Sequence, residues 1–145
     1  TLTQILQEYP DTVKLVYKHF PLSFHKQARP AHVAAELAKL SGGNEAFWKL
    51  HDMIVAAPDK LETDILRGYA QALGVDVQTF DETMADEAKM NELLLADKEL
   101  AQKCNVRGTP SIFINGTKLS DRSIESYRKA IEKNLAAQNN LAGLD

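Results

Sequence analysis

The stretch NVRGTPSIFING, Asn105 to Gly116, decides how the rest of the chain is read. Ser111-Ile112-Phe113-Ile114 is β-branched and aromatic enough to predict a strand, and Asn115-Gly116 is the dipeptide that closes a two-residue hairpin. The return strand should end near Leu119. Pro110 stands at the mouth of this hairpin. Proline has no N–H to give to a ladder, so it is tolerated only at a first residue, an edge or a bulge. From these residues alone Pro110 is either ordinary punctuation or the site of a cis bond that shapes a binding surface.

Working outward, Ile124, Tyr127, Ile131 and Leu135 recur at spacings of three and four and predict a helix after the hairpin. The polar tail from Ala136 is expected to fray. Far upstream, Val13 to Phe20 (VKLVYKHF) reads as a strand closed by Pro21. Between the two strand regions lie only helical patterns. The first runs over about Pro30–Leu40, with Val33, Leu37 and Leu40 as its stripe, and Ser41-Gly42-Gly43 stops it. Asn44 caps Glu45–Val55, where Phe47, Leu50 and Ile54 face inward. Thr63–Leu73, Asp76–Ala85 and Glu87–Cys104 follow, the last with Met90, Leu93, Leu94, Ala101 and Cys104 on one face. At the N-terminus, Leu2, Ile5, Leu6 and Tyr9 predict a helix ended by Pro10-Asp11. A strand regained only after a long helical crossover implies an α/β sheet with an antiparallel hairpin at its edge.

Bulk properties exclude several classes. A chain of 145 residues, 44% hydrophobic and 26% charged, suits one soluble domain. A net charge of −3 without basic clusters excludes a nucleic-acid footprint. The apolar runs, such as Leu93 to Ala96, are too short for membrane insertion. Cys104 is the single cysteine, so neither an internal disulfide nor a cysteine-based zinc site can form. Its place on an apolar helix face predicts a buried, inert thiol. The histidines His19, His25, His32 and His51 lack the spacing of a metal site, and none is expected. Asp81, Glu82, Asp86 and Glu87 read as surface charge and helix caps, and Asn115-Gly116-Thr117 as a turn before a glycosylation acceptor.

Three segments in order, VKLVYKHFPLSFHKQARPA (Val13–Ala31), FWKLHDMI (Phe47–Ile54) and NVRGTPSIFING, resemble the DsbA-like thioredoxin-fold disulfide oxidoreductases from about Thr1 to Leu135. The resemblance implies one thioredoxin-like α/β domain over residues 1–145, with a helical insertion at about 26–104. It also implies that Thr109–Pro110 is cis, and that Gly108, Thr109 and Pro110 bind the extended backbone of a protein or peptide substrate. The implied activity is dithiol–disulfide exchange in the bacterial periplasm or cell envelope, with no dissociable cofactor. Family members carry Cys-x-x-Cys on their first helix, after a first strand. Both would lie upstream of Thr1, which makes the domain N-terminally incomplete and leaves no catalytic residue in this chain. Cys104 has no second thiol to resolve a mixed disulfide. A redox-inactive peptide-binding module is the alternative. The family's first strand lies inside the sheet, so its loss leads us to expect a strand-swapped homodimer of this chain.

Overall fold

The computed structural model describes residues 1–142. Its elements are α1 (Leu2–Glu8), α2 (Ala28–Ala56), α3 (Thr63–Ala72), α4 (Val77–Ala85), α5 (Glu87–Lys103), β1 (Phe113–Ile114), β2 (Thr117–Lys118) and α6 (Ile124–Ala142). They divide into two compact units, one of residues 1–17 and 107–145, the other of residues 18–106.

The second unit is helical. α2 packs on α3, α4 and α5, and the side chains between them are removed from water almost completely. Val33, Leu50, Leu66 and Phe80 are the largest of these. Small residues let the helices approach: Ala34, Ala38 and Ala70 are fully buried. The helix starts are chemically marked. The Asp76 carboxylate accepts the Thr79 N–H at 2.8 Å, and Asp86 accepts from Ala88 at 2.8 Å and Lys89 at 3.2 Å. The acidic side chains expected on surfaces are there, Asp81 with Arg67 and Glu87 with Arg29.

The two helices expected on either side of Gly42-Gly43 meet at a kink at Gly43 (φ 69°, ψ −161°), a left-handed φ that suits glycine, so the break falls where the sequence placed it. Two details of this unit differ from expectation. Leu40, expected in the apolar stripe, is 66% exposed because Ala34 and Ala38 fill the inward face instead. Cys104, expected to be buried, is exposed. The helix still reaches it, since the Cys104 N–H bonds Leu100 O at 2.9 Å, and ends one residue on. Asn105 takes φ 52°, its N–H bonds Gln102 O at 3.0 Å, and Val106 N–H bonds Ala101 O at 2.9 Å. This is a Schellman C-cap with asparagine in the left-handed position, and Cys104 is the last residue before it, beyond the buried Leu94 and Ala101 of α5.

The first unit contains α1, the hairpin and α6. Phe113 pairs with Lys118 and Ile114 with Thr117 in a two-stranded antiparallel sheet. Asn115 (φ 46°) and Gly116 (φ 81°) supply the two positive φ values of a type I′ turn. Ile5 of α1 and Tyr127 and Ile131 of α6 form a small core, joined by Ile112, Ile114 and Leu135. Arg128 clamps Glu8 across α1 and α6 at 2.7 and 2.9 Å. That guanidinium, helped by Gln4, holds the Glu8 carboxyl down to about 2.

Two further expectations are corrected. Val13 to Phe20 forms no strand. Among the described residues, the backbone groups of Lys14, Leu15 and Val16 make no hydrogen bond, and Val16 stays 62% exposed. The residue types favour an extended chain, but a strand exists only beside a neighbour. The tail from Ala136 continues α6 to Ala142 rather than fraying there, and residues 143–145 lie outside the described residues.

Candidate functional site

Gly108, Thr109 and Pro110 lie together in a tight connection that leads into the hairpin. The Thr109–Pro110 peptide bond is cis, and the Ser111 hydroxyl donates to Gly108 O at 2.8 Å. These residues line one wall of an open groove of about 300 Å³, with Lys118 to Arg122 opposite. Among the described residues, the Thr109 backbone N–H and C=O make no hydrogen bond, so both can serve an extended partner. A methyl group built at Gly108 meets nothing within 4 Å. Asp121, beside this groove, is held down to about 2 by hydrogen bonds from Ser123 and Ser126, which ties its carboxylate to the start of α6.

A second groove of about 220 Å³ opens in the same unit, between Thr12–Leu15 and Ile112–Asn115, with α1 and α6 beneath it. Leu119 N–H donates to Ile112 O at 2.9 Å, which aims the Ile112 and Ile114 backbone groups at β2. Alternation then turns the Phe113 N–H and C=O to the other edge of β1. That edge and the backbone of Lys14 and Leu15 are the two sides of the groove, and among the described residues neither belongs to a ladder with the other.

In the second unit, His19 is 5% exposed. Its Nδ1 lies 2.8 Å from His32 Nδ1 and its Nε2 lies 3.1 Å from Glu36 Oε2. Asp97 accepts the His19 N–H at 2.7 Å and Lys18 Nζ at 2.9 Å. Burial pushes both imidazoles down, His32 to about 4, although Glu36 opposes the effect at His19. Sequence reasoning did not find this cluster, because His19 and His32 are thirteen positions apart and only His32 lies on a helix. Only the i, i+4 spacing of His32 and Glu36 was available as a signal. Among the described residues no group of three His, Cys, Asp or Glu side chains is arranged to hold a metal ion, and no helix is long and apolar enough to cross a membrane.

Comparison with known proteins adds the following. A family model described as thioredoxin matches residues 1–133. A Rickettsia bellii protein named "Putative protein-disulfide oxidoreductase" is 29% identical over 143 residues, 94% of this chain and 54% of the relative. The Na(+)/H(+) antiporter NhaA 3 of Salinispora tropica is 36% identical over 114 residues, 78% of this chain but 17% of the antiporter. The chain thus spans about half the length of the one relative and under a fifth of the other. No solved structure matches.

Proposed function

We propose that this chain, which belongs to the thioredoxin family, is part of a DsbA-like protein thiol–disulfide oxidoreductase of the bacterial cell envelope. Its exchanging cysteines lie outside these 145 residues. The observation that carries the reading is the cis Thr109–Pro110 connection, whose open Thr109 backbone faces a groove beside the hairpin. An extended peptide laid along Gly108–Pro110 would gain main-chain hydrogen bonds from Thr109, an affinity independent of its side chains. Such sequence tolerance suits an enzyme that serves many protein substrates.

The chemistry needs two thiols. A thiolate attacks one sulfur of a disulfide, the other sulfur leaves as a thiolate, and a second thiol releases the mixed disulfide. Cys104 is exposed and can be attacked, but no second thiol exists in this sequence to resolve the product. Residues 1–145 alone are therefore inactive, and by this reading no dissociable cofactor is needed. An envelope location is favoured by the similarity to bacterial antiporters and to the Rickettsia protein. The single cysteine favours one rival, a redox-inactive module that binds peptides through the same groove.

The full-length gene product separates the two readings. Catalytic reduction or oxidation of a protein disulfide, with none from residues 1–145, is expected. Inactivity of both, with retained peptide binding, would leave the rival standing. Gly108→Ala should weaken peptide binding about tenfold or more without unfolding the chain, since the added methyl enters open space. Unchanged binding would remove the groove from the account. The second groove also bears on partners. Its two unpaired backbone sides and apolar floor suit an inserted strand, and in residues 1–145 alone we propose that a second copy supplies one.

A further inference from the structure

The groove in front of Thr109 has a charge pattern that the exchange chemistry leaves unused. Its far wall, Lys118 to Arg122, carries two cations and one carboxylate, and Arg107 stands where the near wall begins. Lys118, Asp121 and Arg122 are all exposed. The carboxylate is already engaged. Asp121 Oδ1 accepts the Ser123 N–H at 2.8 Å and Oδ2 accepts the Ser126 hydroxyl at 2.6 Å, both at the start of α6. A negative charge there also meets the positive end of the helix. It therefore does little to neutralise the two cations beside it.

The cations have no such engagement. Among the described residues neither Lys118 nor Arg122 forms an ion pair or a side-chain hydrogen bond. Lys118 lies over Phe113, its cross-strand partner, with Nζ 6.0 Å from the ring centroid. Contact with a ring face restrains an ammonium and leaves its charge in place. The Arg122 guanidinium carries its donors in a planar fork, the geometry that receives a carboxylate through two parallel hydrogen bonds. The far wall is thus a positive strip on a chain whose net charge is −3.

We infer that the groove selects extended peptides with acidic side chains close to the residue that pairs with Thr109, and that Lys118 and Arg122 select them. The inference rests on the peptide-binding reading of the groove given above. Pairing with the Thr109 backbone fixes where a peptide lies and leaves its side chains open. The opposite wall then meets those side chains with positive charge. Asp and Glu gain an ion pair, Asn and Gln a neutral contact, and Lys and Arg are repelled. Exposed ion pairs are individually weak, so the result is a bias among many partners rather than a strict motif. Because the charges stand in water, salt weakens the bias.

Fluorescence anisotropy of the 145-residue chain with three labelled peptides tests this. The peptides are extended, cysteine-free and alike except at two flanking positions, which hold Glu, Gln or Lys. At low salt the Glu peptide should bind about fivefold to tenfold tighter than the Gln peptide, and the Lys peptide weaker than both. The spread should shrink in about 0.5 M salt. Lys118→Gln together with Arg122→Gln, both on the exposed surface, should bring the Glu and Gln affinities within about twofold of each other. Lys133→Gln removes an exposed charge of α6 outside the groove and should preserve the preference. Equal affinities for the three peptides, with binding still weakened by Gly108→Ala, would overturn the charge selection and leave the groove reading intact. A preference that survives the double substitution would overturn it as well. No binding by any of the peptides would overturn both.

Discussion

The two units differ in how completely each satisfies its own backbone. Residues 18–106 fold as helices, whose hydrogen bonds close within each segment, over a core in which Val33, Leu50, Leu66 and Phe80 are nearly sealed. Among its described residues, the unit of residues 1–17 and 107 onward combines two-residue strands, an extended segment outside any ladder and a core of three buried side chains. A helix needs neighbours only for its apolar face, whereas a strand also needs them for its peptide groups. Sequence of similar quality therefore gives a self-sufficient unit in one case and an open edge in the other.

Substitution in the two cores should show the difference most strongly. Phe80→Ala removes a 1%-exposed ring from the tight unit and should cost about 3–5 kcal/mol in denaturant unfolding. Ile131→Ala, beside a groove into which neighbours can relax, should stay near the lower end for such changes, about 2 kcal/mol. Equal costs would blur the distinction. Acid should then weaken the helical unit through its imidazoles. The folded state holds His32 at about 4, below the unfolded value near 6.5, so the unfolded chain takes up the proton first. Stability from this source is complete above pH 6.5, falls as pH drops toward 4 and is constant below. The loss should be on the order of 2–3 kcal/mol and smaller in His32→Phe, which leaves only the depressed His19. Removing one helix start is milder. Asp86→Ala leaves two N–H donors of α5 without their carboxylate and should cost about 1 kcal/mol by thermal unfolding. The smallest effect belongs to Cys104→Ser, within about 0.5 kcal/mol of the parent, while native Cys104 should react quickly with a thiol reagent. Slow native labelling would restore the buried placement.

The helical unit was legible in the sequence because its signals are local. Asp76 and Asp86 mark starts, and Phe47, Leu50 and Leu94 recur at helical spacing. The hairpin was legible for the same reason, since Asn115-Gly116 fixes its turn. Val13 to Phe20 misled because β propensity describes a fit to neighbours, and the sequence cannot say whether they are present. Cys104 misled because Asn105, one residue on, ends the helix in a left-handed cap that periodicity does not register. Of the site, Gly108, Thr109 and Pro110 came from a resemblance between motifs rather than from spacing. The His19–His32 contact depends on how the segment before Pro21 lies on α2, and no local pattern encodes it.

Amide hydrogen exchange of the 145-residue chain, followed residue by residue at low and high micromolar concentration, tests the comparison most directly. At low concentration Leu50 and Leu66 should be strongly protected, while Lys14, Leu15 and Val16 exchange at nearly unstructured rates. At high concentration, those three amides and Phe113 should gain protection as a second copy supplies the strand. Strong, concentration-independent protection of Lys14 to Val16 would contradict the account, because it would mean that this edge is already closed within one chain.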